Sequence, residues 1–544
     1  MASITVKEAQ ALVSHMLGHR AHRESRWREL KRWICPTRGL FDSGVSDFED
    51  KQELVRFTHA STSALMRGAS GMTSGMTPRN IAWFRPDFAE SALIEAQGAR
   101  TWLDITAQRM RDCLGSGGFY QAIQAFNIDL LAFGCGLLYA EKAEDTPLHF
   151  ETCQVGSFCV ETDRHGRLSA VARKLQFTCH ELAGEFGENS ISPASRAKLG
   201  KNPWEKINVW HLCRENRDNG PDVDSFFWEE GASDFLRQSF YHEMPFFYTC
   251  WHDDANIYGT GPGDAALPDA MQIDELERRK LEGIAKITDP PVQIPTRLKD
   301  WLNLGPGGIN HVEADSTIRP ILDLSPYSHS LPQLREEIAT VSQRLEQTLY
   351  AAIFTSMPLD QRPRDMSATE FLERKREALQ QLGPVISAYE PNVLTPMLYR
   401  VLLTLDRRGL MPPAPRELAG YNLTMKMEFI SPMANALRQT DAQTTRALFQ
   451  DVAMIAQATQ NPEVLDKIDT DQMVDELATG LGCLGSIVRS DDEVAQIRQQ
   501  RQAAQMQQAQ MQAQMQKAQA EETAGKALKN QAEAAQTAKQ LFTE

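Results

Sequence analysis

Two stretches with helical hydrophobic periodicity, about 269–288 and 332–354, stand on either side of a short segment punctuated by Pro and Gly. In the second, Leu334, Ile338, Val341, Leu345, Leu349 and Ile353 recur every three or four residues and therefore share one face. The first is dense in charge of both signs. Asp289-Pro290-Pro291 ends it, because Pro lacks an N–H and clashes with the preceding turn. The segment between, about 291–327, has β-like pieces at 292–294 and 318–324 and the loop Gly305-Pro306-Gly307-Gly308. This punctuation confines the region to a helix–module–helix unit with two rods of about 30 Å each. On the first rod, Arg278, Arg279, Lys280 and Lys286 stand among Asp274, Glu275, Glu277 and Glu282. Such a mixed face can line an interface or a pore without holding a polyanion, since retention grows with the number of phosphates neutralised.

Upstream, the periodicity predicts helices over 5–34, 49–69, 91–114 and 119–133, the last two separated by Gly115-Ser116-Gly117-Gly118. The first is basic in its second half, with Arg20, Arg23, Arg26, Arg28, Lys31 and Arg32. A solvated face that pairs with an acidic neighbouring subunit is the preferred reading of that stretch, ahead of phosphate contacts. From about 137 to 178 the pattern alternates and turns at Asp163-Arg164-His165-Gly166, which predicts a meander of short strands. Thr178-Cys179-His180-Glu181 is a capping box opening a short helix. Strand-like runs follow at 206–213, 224–228 and 246–251, completing an α+β region of about 250 residues. Tyr258-Gly259-Thr260-Gly261-Pro262-Gly263 reads as a flexible hinge.

Downstream of the second rod, helices are predicted over 369–382, 391–408, 434–459 and 471–481, with a Pro-rich loop at 412–415 and a strand near 422–430. The tail from Asp491 is different. Between 496 and 519, 12 of 24 residues are Gln, and Gly and Pro are absent, so helix propensity is high. A long Gln/Ala helix is marginal alone and gains from repeated copies beside it. The fold class expected is α+β, mainly helical.

Composition and motifs exclude much. The 544 residues carry a net charge of −15, so no phosphate-binding surface over the whole molecule is expected. The opening residues lack a basic-then-apolar signal, and the longest apolar run, about 128–140, is shorter than the roughly 20 residues a bilayer needs. Nine cysteines without a CxxC pair suit reduced thiols, and a soluble protein without membrane contact is expected. The 259–264 run lacks the GK[ST] ending of a P-loop and the spacing of a dinucleotide fingerprint. No HExxH or GxSxG occurs. His149, Cys153, Cys159, His165, Cys179 and His180 lie close in sequence at irregular spacings, and buried thiols are preferred to a zinc site or a Cys/His nucleophile. No catalytic residue, metal or cofactor is expected.

Several segments then carry a resemblance. Trp33-Ile34-Cys35-Pro36-Thr37-Arg38-Gly39, Gly71-Met72-Thr73-Ser74-Gly75-Met76-Thr77-Pro78 and Trp83-Phe84 come first. Phe119-Tyr120 with Asp129-Leu130-Leu131-Ala132-Phe133-Gly134, then Tyr258-Gly259-Thr260-Gly261-Pro262-Gly263 with Leu267-Pro268-Asp269, follow in order. Met366-Ser367-Ala368-Thr369-Glu370 has Ser367 where the pattern has Thr. Leu382-Gly383-Pro384 and Ser431-Pro432-Met433-Ala434 complete the series, with Met433 where Leu is frequent. Over about 10–450 the chain resembles the head-to-tail connector, or portal, proteins of short-tailed bacteriophages. Each motif alone is weak; their number and order make the match specific.

The resemblance implies a homo-oligomeric ring, usually of twelve subunits, at one capsid vertex of the virion, assembled in the host cytoplasm. Double-stranded DNA would pass through its channel during packaging and ejection, with only transient, non-specific contact. It also implies a division into wing (1–264), first stem helix (265–289), clip (290–329), second stem helix (330–356), inner wing (357–433), crown (434–490) and a C-terminal barrel helix (491–544). Implied partners are the terminase large subunit, a tail adaptor protein, scaffolding protein and the major capsid protein. Two other classes compete: an internal core or scaffold protein of the virion, and a hydrolase using a Cys/His pair.

Overall fold

The structure, a computed structural model, describes residues 4–41, 56–89, 98–216, 223–252, 256–288, 292–293, 319–320, 325–355, 383–415, 425–431, 448–452, 454, 472–473 and 491–541. The fold is α+β and mainly helical. The chain divides into two compact units. The first comprises residues 1–86, 105–413 and 426–447, and the second residues 87–104, 414–425 and 448–544.

The first unit opens with α1 (Val6–Trp33), whose Thr5 cap and Glu8 form a reciprocal capping box. α2 (Ala60–Met76), rich in Gly, Ala and Ser, comes next, and then β1 (Phe84–Phe88) and α3 (Ala99–Ser116). α4 (Phe119–Phe133) is mostly apolar and mostly buried, and Gly118 and Gly134 bound it with φ of 77° and 85°. Both positions lie in the left-handed region that Gly enters without steric cost. The strands are β2 (Cys135–Glu141), β3 (His149–Cys153), β4 (Phe158–Thr162) and β5 (Leu168–Thr178), then, after α5 (Cys179–Phe186) and α6 (Pro193–Leu199), β6 (Lys206–Glu215), β7 (Val223–Glu229), β8 (Arg237–Tyr241) and β9 (Phe246–Cys250).

They form two antiparallel sheets, β3-β2-β9 and the meander β4-β5-β6-β7-β8. Alternation sorts the meander's side chains. Trp210 and Leu212 of β6, with Phe226 and Trp228 of β7, face Val6, Ala9, Val13 and Met16 of α1. Val209 and Phe227 point the other way, to Leu182 of α5, Ile191 and Leu236. This is the period-2 signature of a sheet covered on both sides.

Next come the two rods, α7 (Pro262–Thr288) and α8 (Ser325–Thr348). Between them β10 (Val292–Gln293) pairs antiparallel with β11 (Arg319–Pro320), Val292 opposite Pro320. The remainder of the module lies outside the described residues. Tyr350, with φ of 58°, separates α8 from α9 (Ala351–Thr355). Helical residues 383–407 then return to the sheets. Arg400 is buried and donates to the carbonyls of Ala140 and Glu243, and the Tyr389 hydroxyl donates to Asn127. β12 (Met425–Phe429) pairs with β1, where Arg85 meets Glu428 at 2.9 Å.

The second unit has a small core of Phe88, Ala99, Trp102 and Leu103 under Met425, with the Phe88 and Trp102 rings stacked 6.0 Å apart. It includes the 51-residue terminal helix, Asp491–Leu541, about 77 Å long at 1.5 Å per residue. Among the described residues, no helix is long and apolar enough to cross a membrane.

Element boundaries differ from the sequence reading in instructive places. α2 runs on to Met76 although 71–76 is dense in Gly, Ser and Thr, because small side chains let it pack closely. Pro268 and Pro332 lie inside α7 and α8, each of which begins seven residues before its predicted start. β1, β8 and α6 were not anticipated. The helix expected over 369–382 and most of those over 434–459 and 471–481 lie outside the described residues.

Candidate channel-forming stem

α7 and α8 run antiparallel. Arg344 of α8 reaches Asp269 and Gln272 of α7, each at 3.1 Å, and Gln272 donates to Glu337 at 3.3 Å. Toward the other end, Gly283 lies beside Leu331. The α8 stripe changes along its length. Leu334 and Ile338 are half-buried, while Val341, Leu345 and Leu349 are fully buried where the rod packs against α2.

The root is tightly seated. Asp264, in the first turn of α7, receives Arg23 at 2.7 Å and Arg26 at 3.2 Å, and a carboxylate there also suits the helix dipole. Asp274, buried farther along α7, accepts the backbone N–H groups of Phe57 (2.7 Å) and Thr58 (3.3 Å). Arg67 of α2 meets Glu346 of α8 at 2.6 Å. A Cβ at Gly263 would collide with the Ala132 carbonyl of α4, and one at Gly68 with the Leu349 carbonyl. The 258–263 run is therefore a packed seam that begins α7, and the flexible hinge expected there is corrected. Gly is needed because backbone passes against backbone.

In the basic half of α1, four arginines have partners within the chain. Arg20 donates to the carbonyls of Gly156 and Phe158 and pairs with Glu24, Arg23 and Arg26 hold Asp264, and Arg28 donates to Phe41 O. Arg20, Arg23 and Arg26 thus tie α1 to β4 and α7 of the same chain.

Three of the four candidate channel cations have local partners. Arg278 pairs with Glu275 (2.8 Å) and Glu282 (3.0 Å), Arg279 with Glu275 (2.7 Å), and Lys280 with Glu277. Hydrogen bonds from Arg278 and then Arg279 hold the Glu275 carboxyl below the usual range, and Glu275 in turn holds Arg278 above its own. Lys286 is exposed, with no side-chain partner among the described residues. On the same rod Leu281 and Ile284 stand exposed, about 60° apart in helical phase, while Arg279 and Lys286 lie about 20° apart on another side. The stem thus offers an uncovered apolar stripe and a separate charged one.

Sequence reasoning missed the anchor behind this root. Asp129 of α4 is wholly buried and receives Arg38 bidentately, at 2.6 Å through Nε and 2.6 Å through Nη2. Both residues sit inside quoted motifs, but spacing alone does not pair positions so far apart. The histidine and cysteine cluster does not assemble. His165 is in an exposed turn, and His149 and His180 are exposed on different elements. Cys159 points to the Ala172 carbonyl and Cys179 to Glu205 O. Burial pushes the Cys153 thiol up to about 11 and Cys159 up to about 12, which disfavours the thiolate a nucleophile needs.

Comparison with known proteins points one way. A family model described as bacteriophage head to tail connecting protein matches residues 6–488. The "Probable portal protein" of Bordetella phage BPP-1 is 28% identical over 510 residues, covering 91% of each chain. The "Portal protein" of Salmonella phage epsilon15 is 25% identical over 507 residues, covering 90% of each. A solved structure, "Neck of empty GTA particle computed with C6 symmetry", aligns with 76% of the chain and 93% of its own at 12% identity and a TM-score of 0.33, too slight a likeness to argue from. With a rooted helical hairpin, two antiparallel sheets and motifs in the expected order, all within the span matched, the chain belongs to the family of bacteriophage head-to-tail connecting proteins.

Proposed function

We propose that copies of this chain assemble into a ring, of twelve by the family resemblance, that serves as the portal at one capsid vertex. Double-stranded DNA passes through its channel inward during packaging and outward at ejection. In this reading residues 1–264 are wing, 265–289 and 330–356 stem, 290–329 clip, 357–433 inner wing, 434–490 crown and 491–544 barrel. The clip docks the terminase large subunit first and a tail adaptor later, while scaffolding and major capsid proteins meet the wing during assembly. The core or scaffold reading and the hydrolase reading are not favoured.

The observation that carries the proposal is the stem, a seated antiparallel hairpin with Leu281 and Ile284 left uncovered beside ion-paired cations. A closed ring needs two different patches on each subunit that meet head to tail. An exposed apolar stripe on a rod supplies one, since isolated apolar residues in water gain by being covered. A conduit must also release its cargo. Arg278, Arg279 and Lys280 are already neutralised locally, so few counterions would leave passing DNA on their account. Lys286 is the exception, and a ring of such lysines gives weak, renewable contacts.

Negative-stain imaging of the purified chain is expected to show hollow rings, and mass measurement a closed multiple of the subunit. Leu281→Glu with Ile284→Glu is expected to shift the protein toward monomers of unchanged helical content. Compact monomers from the unaltered chain at micromolar concentration would overturn the reading.

A further inference from the structure

On α1, one turn apart, His15 and His19 bring their Nε2 atoms within 3.1 Å, the rings perpendicular and 4.6 Å between centroids. Residues four apart share a helix face, and this is the spacing by which paired helical histidines chelate a metal. Glu161 of β4 arrives at the same place. One ligand atom from each of the three lies within 4.8 Å of the others, and among the described residues they are the one such group. Glu161 Oε2 is buried and no donor reaches it. A buried acceptor left unpaired is costly. Two ring nitrogens this close share either one proton or one cation, and the carboxylate beside them adds the third donor and the negative charge that a metal site uses.

The dimensions fit. With metal–nitrogen bonds of about 2.0–2.1 Å, tetrahedral ligand nitrogens stand roughly 3.3 Å apart. The flanking contacts hold the two elements without using the three ligands. Val13 and Met16 of α1 sit in one core with Cys159, and Arg20 donates to the Gly156 and Phe158 carbonyls at 2.7 and 3.1 Å. The register of helix against strand is therefore set before any ion binds.

We propose that His15, His19 and Glu161 form a Zn²⁺ site that clamps α1 to the edge of the meander sheet, with water in the remaining coordination position. Two imidazoles and one carboxylate are a donor set for a borderline transition ion. Ca²⁺ and Mg²⁺ are disfavoured, because they call for six or more oxygen ligands. The inference does not depend on ring assembly.

Full-length chain stripped with a chelator is titrated with Zn²⁺ by calorimetry and with Co²⁺ by visible absorption. One equivalent of Zn²⁺ per chain is expected, together with the d–d bands of four-coordinate Co²⁺ and a higher melting temperature in Zn²⁺. His19→Gln and, separately, Glu161→Gln are expected to lose that equivalent and the Zn²⁺-dependent rise while keeping the parent's circular dichroism. Glu161→Gln keeps shape, so it remains informative if a histidine variant folds poorly. Absence of stoichiometric binding overturns the proposal, as do uptake unchanged in both variants or a Co²⁺ thiolate charge-transfer band placing the ion on cysteine.

Discussion

Asp129 has no contact with water and meets both arms of Arg38, so each charge depends on the other. Burial pushes the Asp129 carboxyl up to about 6, while the Arg38 hydrogen bonds pull it back toward ionisation. A carboxyl raised on folding contributes stability that is full below its unfolded value, about 3.9 for Asp. That contribution is lost as pH rises through about 6. Urea midpoints are therefore expected to fall between about pH 4 and 6 on account of this group, and Asp129→Asn is expected to remove that slope. Arg38→Ala leaves an unpaired buried carboxylate and is expected to cost about 3–5 kcal/mol at neutral pH. Residue identities of this kind were visible in the sequence and their pairings were not. Arg38 and Asp129, or Arg23 and Asp264, are joined by tertiary packing that no local period encodes.

At the level of elements, the periodic signals held where one face is buried. α1, α4, the meander and both stem rods are legible because burial imposes a period of 3.6 or 2 on the residues themselves. Legibility failed where backbone meets backbone. The seam at 258–263 reads as a hinge, and the predicted second helix stops at 69, short of its Gly-rich end, because small residues signal flexibility locally and close approach globally. Two glycines of α7 separate these meanings. Gly283→Ala puts a methyl in ordinary contact, 3.9 Å from Leu331, and is expected to stabilise by about 0.5–1 kcal/mol through helix propensity. Gly263→Ala must displace the Ala132 carbonyl and is expected to cost about 1–3 kcal/mol or more. Thermal melts of the two single variants, side by side, check the contrast.

For the whole molecule, association should rest on the stem and wing. The exposed Met506, Met511, Met515 and Leu528 of the terminal helix scatter around it among Gln and Ala and form no continuous apolar face. Removing residues 491–544 is expected to leave ring formation largely intact by imaging. Loss of every oligomer in that truncation would move the driving force to the tail. The order of the motifs made the architecture legible at this scale, whereas subunit number is set by inter-copy angles that one chain does not carry. The first compact unit closes late along the polypeptide. Asn127 waits for Tyr389, the Ala140 carbonyl waits for Arg400, and Trp83 waits for Phe429. During translation, then, a nascent subunit stays unfinished until residues up to about 430 have left the ribosome.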